Sequence, residues 1–280
     1  MVRRVKHPNP FMKWPGGKGK SLPAIADAAP ASWTEYIEPF IGGGAVFFGL
    51  GRTGPKSILG DANADLIGAY TVVRDDVDSL IVLLHAHQEA FDADRVGHYY
   101  AVRALDPASL SPVDAAARIV FLNRTCFNGM YRVNKSGAFN VPIGRYANPK
   151  ICNEGLLQVC SAALAGAEII HSGFAATMAR AEPGAFVYLD PPYVPASATA
   201  DFSSYTAQGF GSRDHVDLLA QLRVLTEQDI QFLLSSSDAY GLRDRYESEG
   251  WSVTEVSVRR NVNRDASKRG PVTELLVSNY

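Results

Sequence analysis

A carboxylate, two prolines and a tyrosine follow directly on an apolar segment: Asp190, Pro191, Pro192 and Tyr193 come after AFVYL at 185–189. The prolines restrict the backbone, so the Asp190 carboxylate is expected to be a fixed acceptor beside the tyrosine ring. Such a pair suits a flat base with an exocyclic amine. If the Asp190 carboxylate and the Pro191 carbonyl each accept one N–H, the nitrogen lone pair can point at an electrophile. The alternative is a proline-stiffened loop with a structural aspartate.

A glycine-rich turn, EPFIGGGAVF at 38–47, follows an earlier apolar segment. Its glycines would let the backbone approach a ligand at the carboxyl edge of a sheet, where open α/β sheets bind ligands. Phe47 stands where a G-x-G-x-x-G fingerprint needs its last glycine, which disfavours NAD. Asp61, in LGDAN, ends the next apolar segment and could accept hydrogen bonds from ribose hydroxyls. These features favour an adenosine ligand without a pyrophosphate; the alternative is a tight strand–helix turn.

The segment KWPGGKGKS, 13–21, ends like a phosphate-binding loop but does not fit one. A P-loop needs a glycine five residues before its GK[ST] triplet and a buried strand in front of it. Position 14 is tryptophan, and the ten residues before Lys13 hold two prolines and several cations. We therefore reject a nucleoside-triphosphate site in this segment.

Buried strands must carry these residues, and short apolar runs predict where the strands lie. The predicted strands are 36–40, 57–60, 167–171, 185–189 and 230–235, and the predicted helices include 213–225 and 239–248. This alternation is typical of a mostly parallel α/β sheet. Two further strands, near 252–258 and 272–277, are predicted to form an antiparallel hairpin joined by the polar loop Asn261 to Gly270.

Between about 66 and 151 the alternation of strands and helices lapses. Helical segments come first, and one of them opens with Ser111 as N-cap and Pro112 in the first helical position. A basic portion rich in glycine and asparagine follows. We predict that 66–151 is an inserted domain.

The composition is that of a globular chain with a full core: 280 residues, 46% hydrophobic and 20% charged. No apolar run approaches the roughly 18 residues of a membrane span, and the first residues lack the apolar part of a secretion signal. We therefore expect a cytoplasmic protein. The three cysteines, Cys126, Cys152 and Cys160, lack metal-site spacing and are expected to be reduced packing residues.

The net charge of −2 conceals an uneven distribution. The stretches 1–20 and 118–150 contain cations and no acid, and a basic cluster at 259–269 is opposed only by Asp265, whereas acids crowd 61–94. Local basic patches of this kind are typical of a DNA-binding face, whatever the total charge. The alternative is a set of ordinary solvated surfaces.

Eight ordered motifs closely resemble the Dam-type DNA adenine-N6 methyltransferases of the D12 class, alpha group. They are KWPGGK, EPFIGGGAVF, DAN at 61–63, NRTCFNGMYRVN, GAFNVPIGRY, DPPY, SATADFSSY and VRRN. The resemblance spans essentially the whole chain. It implies an α/β fold with a Rossmann-like S-adenosylmethionine-dependent methyltransferase sheet. In this fold 1–65 and 152–280 would form the catalytic S-adenosylmethionine-binding domain, and 66–151 an inserted, mainly helical target-recognition domain that binds DNA. It also implies S-adenosylmethionine as cofactor and S-adenosylhomocysteine as product. No metal is expected, because the leaving thioether is neutral and no phosphoryl charge develops.

The resemblance carries over roles for individual residues on the cofactor side. The implied cofactor-binding residues are Trp14, Lys18, Phe40, Gly42, Gly44, Asp61 and Asp190. In the family the KW-x-GGK segment is a cofactor element, which explains why it resembles a phosphate loop without being one. Asp190, Pro191, Pro192 and Tyr193 would be catalytic, and Phe174 would flank the adenine.

On the DNA side, the implied contact residues are Lys13, Arg124, Phe127, Asn128, Arg132, Arg145 and Tyr146. Phe127 and Asn128 would enter the duplex next to the target adenine, and Arg132 and Lys13 would read guanine edges. The family often has tyrosine at the inserting position. Phe127 keeps the stacking face but lacks the hydroxyl, so any contact made by that hydroxyl is absent here.

The sequence thus predicts methyl transfer from S-adenosylmethionine to N6 of a flipped-out adenine, in GATC on both strands, without a covalent enzyme intermediate. The expected partner is double-stranded DNA rather than a membrane, and the expected active form is a monomer. Three alternatives stay open: transfer to cytosine N4, transfer to adenine in RNA, and a DNA-binding relative that has lost catalysis. Cytosine-N4 enzymes usually carry serine at the position of Asp190, which favours adenine.

Overall fold

The structure, a computed structural model, describes residues 8–50, 56–193, 210–238, 241–259 and 271–280. Several features of the sequence lie outside these described residues. They are the cations Arg3, Arg4 and Lys6, the motif SATADFSSY at 197–205, the end of VRRN, and the loop Asn261 to Gly270 with most of the basic cluster.

The described residues form one seven-stranded sheet. Its strands are β1 Glu35–Glu38, β2 Lys56–Asp61, β3 Ala167–His171, β4 Ala185–Leu189, β5 Gln231–Ser237, β6 Ser252–Arg259 and β7 Pro271–Ser278. Their order is β3-β2-β1-β4-β5-β7-β6. The first five are parallel, whereas β7 is antiparallel to both β5 and β6. The predicted parallel α/β sheet with a final antiparallel hairpin is therefore confirmed.

The central strands bring the predicted site residues to one edge of the sheet. All five residues of β4 are buried, as expected of a strand covered by helices on both faces. β4 lies between β1 and β5, and β2 lies on the other side of β1. Because these strands are parallel, their carboxyl ends meet at the same edge, which is where Phe40, Asp61 and Asp190 follow or end them.

Ten α-helices are found among the described residues. They are α1 Leu22–Ala28, α2 Ala45–Leu50, α3 Ala64–Asp75, α4 Val77–Ala93, α5 Arg95–Ala104, α6 Pro112–Thr125, α7 Glu154–Leu164, α8 Phe174–Met178, α9 Ser212–Glu227 and α10 Leu242–Ser248. The predicted cap of α6 is confirmed, since the Ser111 hydroxyl accepts a hydrogen bond from the Asp114 N–H at 3.2 Å. The predicted helices at 213–225 and 239–248 correspond to α9 and α10, and residues 239–240 lie outside the described part.

The helices α3 to α6 and the irregular segment 126–151 occupy the predicted insertion. α3 begins at Ala64, so the predicted boundary at 66 falls inside its first turn. This helix contacts β2 and β3 as well as α6, and one hydrophobic cluster runs from Phe11 through Tyr70 to Phe121. The helical region therefore shares a core with the sheet, and its division into a separate domain stays a prediction.

Candidate active site

Asp190 follows β4, is half-buried and forms an ion pair with the buried Lys18. Its Oδ1 lies 2.7 Å from Nζ of Lys18, which is only 5% exposed and also donates to the Gly16 carbonyl at 3.1 Å. The Lys18 ammonium lies 4.7 Å from the centroid of the Tyr193 ring. Burial raises the pKa of Asp190, and the charge of Lys18 opposes that rise. The structure thus brings together three residues that the sequence assigned to the cofactor and to catalysis.

The two prolines of the motif lie between these groups. Pro191 is buried, whereas Pro192 and Tyr193 are half-buried. A proline fixes its own φ and restricts the residue before it, so the backbone that carries the Asp190 carboxylate and the Pro191 carbonyl has little freedom. The acceptor groups and the tyrosine ring are therefore held in a nearly fixed relation at the tip of a buried strand.

Two further buried acids lie close to Asp190, and sequence reasoning missed both. Glu38, at the end of β1, is 2% exposed and accepts a hydrogen bond from the Tyr36 hydroxyl at 2.7 Å. Glu274, on β7, accepts one from the Ser21 hydroxyl at 3.2 Å. Burial raises the pKa of Glu38, and the negative charge of Asp190 adds to that rise. Neither acid has a local sequence signal, because an acid in a strand is usually an exposed residue.

Asp61 ends β2 and fixes the glycine-rich turn. Its Oδ2 accepts from the Gly42 N–H at 3.1 Å, and its Oδ1 accepts from the Asn63 N–H at 2.9 Å. Burial raises the pKa of Asp61 to about 6, and these backbone donors oppose the rise. Because each carboxylate oxygen has two lone pairs, the group can accept further hydrogen bonds from a ligand.

The glycine turn packs tightly against Trp14. Gly42 and Gly44 have φ of 47° and 73°, a region that favours glycine. A Cβ at Gly42 would lie 2.9 Å from Cδ1 of Trp14, and a Cβ at Gly44 would lie 2.5 Å from the Tyr70 hydroxyl. That hydroxyl donates to the Gly42 carbonyl at 3.1 Å. The predicted residues Trp14, Gly42, Gly44 and Asp61 therefore form one connected group.

An aromatic cluster borders the same edge of the sheet. Phe40 and Phe174 are stacked with ring centroids 5.4 Å apart, and Phe210 contacts both rings at 5.8 and 5.9 Å. All three rings are half-buried. Phe210 precedes α9 and was not identified from the sequence, because nothing in its local pattern indicates that it returns to the β1 edge.

A tight turn after α6 presents Phe127 and Asn128. Phe127 is 48% exposed, which is high for so large an apolar side chain. Its N–H donates to the Pro142 carbonyl at 2.9 Å. Asn128 is also exposed and has a left-handed backbone, with φ of 55°. The fold therefore directs the predicted inserting residues outward.

The other predicted DNA-contact residues differ in exposure. Lys13, Arg132 and Arg145 are exposed, and the Lys13 ammonium lies 3.3 Å from the hydroxyl of the half-buried Tyr146. The Arg132 Nε donates to Oδ1 of Asn140 at 2.6 Å.

Arg124 is the exception among these cations. Its guanidinium is half-buried and donates to the Phe11 carbonyl at 2.5 Å. Burial lowers the pKa of this group. The geometry favours a structural role for Arg124, and its contact with DNA stays a prediction.

The three cysteines are packing residues in the core. Cys126, Cys152 and Cys160 are free, buried thiols, as predicted. Burial raises the pKa of both Cys126 and Cys160 to about 12, which keeps these thiols protonated. Within the described ranges, no three His, Cys, Asp or Glu side chains come together as a metal site, and no helix there is long and apolar enough to cross a membrane.

Comparison with known proteins gives matches along almost the whole chain. The family described as D12 class N6 adenine-specific DNA methyltransferase matches residues 14–262. The Type II methyltransferase M1.LlaDCHI of Lactococcus lactis subsp. cremoris is 38% identical over 277 residues, covering 97% of this chain and 95% of its own. The Type II methyltransferase M.MjaIII of Methanocaldococcus jannaschii is 38% identical over 289 residues, covering 97% and 99%. DNA adenine methylase of Escherichia coli K12 is 34% identical over 274 residues, covering 97% and 95%.

Proposed function

The chain belongs to the D12 class N6 adenine-specific DNA methyltransferases, and we propose that it methylates N6 of an adenine flipped out of double-stranded DNA. One observation carries the proposal at the level of the site. The Asp190 carboxylate already accepts a hydrogen bond from an N–H donor that lies over the Tyr193 ring. An exocyclic amine on a flat base, stacked on that ring, offers the same kind of donor to the same acceptor.

The residues at the sheet edge fit S-adenosylmethionine, the cofactor that this family implies. When bound, S-adenosylmethionine supplies a methyl group on a positively charged sulfur. In our proposal Asp61 accepts hydrogen bonds from the ribose hydroxyls with the lone pairs that Gly42 and Asn63 leave available. Burial raises the pKa of both Glu38 and Asp190, and a cationic ligand nearby would favour their ionised forms.

The remaining cofactor residues would shape the pocket. Phe40 and Phe174 supply stacked apolar faces, and Gly42 and Gly44 let the main chain approach without side-chain bulk. Trp14 holds the glycine turn in place through its contact with Gly42. Lys18 would neutralise Asp190 or the cofactor carboxylate, because its ammonium is buried and needs an anionic partner.

In the chemical step, the chain would orient the amine and receive its proton. The Asp190 carboxylate would accept one N–H of the target amine and the Pro191 carbonyl the other, with Pro192 keeping the two acceptors in register. Tyr193 would stack on the base. The raised pKa of Asp190 suits a group that takes up the proton released as N6 becomes methylated. No covalent bond to the enzyme is needed in this scheme.

On the DNA side, we propose that Phe127 fills the space left by the flipped base, with Asn128 beside it. Arg132 and Lys13 would read guanine edges, since an arginine fork bonded to O6 and N7 is the commonest specific base contact. Arg145, Tyr146 and Arg124 would lie near the backbone. The proposed target is GATC, methylated on both strands.

The test is incubation of the full chain with labelled S-adenosylmethionine and duplex DNA, followed by digestion to nucleosides and sequencing of the methylated positions. We expect label in N6-methyladenine, mainly within GATC, and labelling that is slower by about 100-fold or more with Asp190→Asn. Label in N4-methylcytosine, or label only with RNA, would overturn the proposed acceptor. DNA binding without methyl transfer would instead identify a relative that has lost catalysis. Methylation in a longer motif would overturn GATC as the target and leave the proposed reaction intact.

A further inference from the structure

Asn123, in the last turn of α6, makes three hydrogen bonds to main-chain atoms. Its Oδ1 accepts from the Lys13 N–H at 2.8 Å, and its Nδ2 donates to the Lys13 carbonyl at 2.7 Å and to the Gly129 carbonyl at 3.2 Å. The side chain is 2% exposed. A single buried amide therefore joins two segments that are 116 residues apart in sequence, at positions 13 and 129.

The first segment leads to the proposed cofactor site. Trp14, next to Lys13, packs on the glycine turn, where a Cβ at Gly42 would come within 2.9 Å of its ring. The Gly42 N–H in turn donates to Asp61 at 3.1 Å. A ligand that binds at Asp61 and the glycine turn would therefore contact groups that pack against Trp14, next to the Lys13 backbone that Asn123 holds.

The second segment leads to the proposed inserting side chain. Gly129 closes the turn Phe127–Gly129 and has φ of 63°. A Cβ at Gly129 would lie 2.5 Å from Cδ of Lys13, so the turn and the Lys13 side chain are also in direct contact. A shift of the Lys13 backbone would therefore displace the turn that carries Phe127. It would also displace the Lys13 ammonium, which contacts the Tyr146 hydroxyl.

We propose that Asn123 is a positioning residue that couples cofactor binding to insertion of Phe127 into DNA. Its three bonds resist independent movement of the two segments, because separating either one leaves buried polar groups unpaired. Cofactor binding would thereby fix the turn in the geometry needed for insertion. This inference rests on the proposed function, since it takes the cofactor and DNA sites as described above.

Coupling of this kind is reciprocal: the cofactor strengthens DNA binding by the same factor as DNA strengthens cofactor binding. The experiment measures the dissociation constant for a duplex with and without saturating S-adenosylhomocysteine. The duplex carries the sequence that the wild-type chain is found to methylate. The wild type is compared with Asn123→Ala and with the control Asn279→Ala.

Asn279 is a matched control because its amide has the same chemistry elsewhere. Its Oδ1 accepts from the Phe232 N–H at 2.9 Å, and its Nδ2 donates to the Ile230 carbonyl at 2.9 Å. It lies after β7, and neither of the two segments joined by Asn123 takes part in these bonds. Both variants lose side-chain hydrogen bonds to main-chain atoms. Only Asn123→Ala loses the bonds that join the segments at positions 13 and 129.

For the wild type and Asn279→Ala we expect S-adenosylhomocysteine to tighten DNA binding at least fivefold, within the roughly 5- to 150-fold range usual for coupled sites. For Asn123→Ala we expect a factor near one, with cofactor affinity in the absence of DNA changed less than threefold. An unchanged factor in Asn123→Ala would overturn the inference. If the wild type methylates DNA but S-adenosylhomocysteine does not tighten its DNA binding, the coupling is overturned and the proposed function stands. If the wild type methylates no DNA, both the coupling and the proposed function are overturned.

A measurement on the wild type covers the case in which Asn123→Ala does not fold. S-adenosylhomocysteine is added without DNA, and hydrogen–deuterium exchange is followed in peptides that contain 126–130. We expect slower exchange there as well as at the glycine turn. Slower exchange at the glycine turn alone would contradict the coupling through Asn123.

Discussion

Two regions of the molecule hold their proposed functional residues in different ways. At the sheet edge, Asp61 and Asp190 are fixed by donors within 3.1 Å, close to the ends of buried strands. In the segment 126–150, Phe127 and Arg132 are exposed on irregular backbone. Fixed, half-buried acceptors suit a reaction whose geometry must be preorganised, and exposed side chains can adjust to a duplex. Substitutions at the sheet edge should therefore affect chemistry and cofactor affinity, and those in 126–150 should affect DNA choice.

The largest effect is expected for Asp190→Asn. The amide keeps the size of the carboxylate but can turn an NH₂ towards the target amine, and it cannot take up the proton. We expect the single-turnover rate to fall by about 100-fold or more, while DNA affinity changes little. Rapid-quench methylation and DNA titration measure the two quantities.

Asp238→Asn provides the control for this substitution, because Asp238 is a surface aspartate whose partner is Arg243. It should behave as the wild type. Turnover by Asp190→Asn above about a tenth of the wild-type rate would contradict the role of Asp190. Thermal unfolding of both variants separates a chemical effect from loss of the ion pair with Lys18.

Asp61→Ala tests the cofactor side of the comparison. Removing hydrogen bonds to a charged acceptor should weaken S-adenosylmethionine binding by about 1.5–3 kcal/mol, which is roughly 10- to 150-fold. DNA affinity in the absence of cofactor should not change. Calorimetry measures the first quantity, and unchanged cofactor affinity would mean that the ribose binds elsewhere.

Arg132→Ala tests the other region. Loss of a guanine contact should cost about 1–3 kcal/mol on the cognate duplex and relax discrimination at one base pair. The control is Lys135→Ala, an exposed cation in the same segment that we expect to meet phosphate. It should weaken binding to all sequences alike and lower the salt dependence. Equal behaviour of the two variants across a set of mismatched duplexes would show that Arg132 does not read a base.

The sequence predicted the strands that carry the site more accurately than the side-chain contacts between distant segments. β3 and β4 match the predicted 167–171 and 185–189 to the residue, because their apolar runs end in strong turn residues. The predicted strand 36–40 was wrong at both ends: β1 begins at the buried Glu35 and ends at Glu38, since Pro39 cannot donate to the ladder. The family resemblance is confirmed by matches along almost the whole chain.

The residues that sequence reasoning missed depend on distant contacts. Glu274 joins the acids near Asp190 only because β7 returns beside β5, and an acid in a strand reads as an exposed residue until its neighbours are known. Asn123 has no special pattern in NRTCFNG; its importance comes from a segment 110 residues earlier. Likewise, charge alone could not distinguish the half-buried Arg124 from the exposed Arg132.

The smallest expected effect is a difference in how the two regions respond to pH. Burial raises the pKa of Asp61 from 3.8 to about 6, with Glu38 and His171 as its charged or titratable neighbours. Ribose hydroxyls donate to the ionised carboxylate, so cofactor affinity should weaken about tenfold between pH 7 and pH 5, as Asp61 becomes protonated. The segment 126–150 contains no Asp, Glu or His, so DNA affinity without cofactor should not weaken over this range.

Loss of folding cannot produce the same result through Asp61. Because its pKa is higher in the folded chain, its contribution to stability is present below about pH 4 and is lost as the pH rises to about 6. At pH 5 this contribution favours the folded state relative to pH 7, opposite in sign to the expected change in affinity. Asp61→Asn, which cannot ionise, should give a cofactor affinity that is weak and nearly independent of pH. A wild-type affinity that is equally flat between pH 5 and 7 would mean that ionised Asp61 does not hold the cofactor.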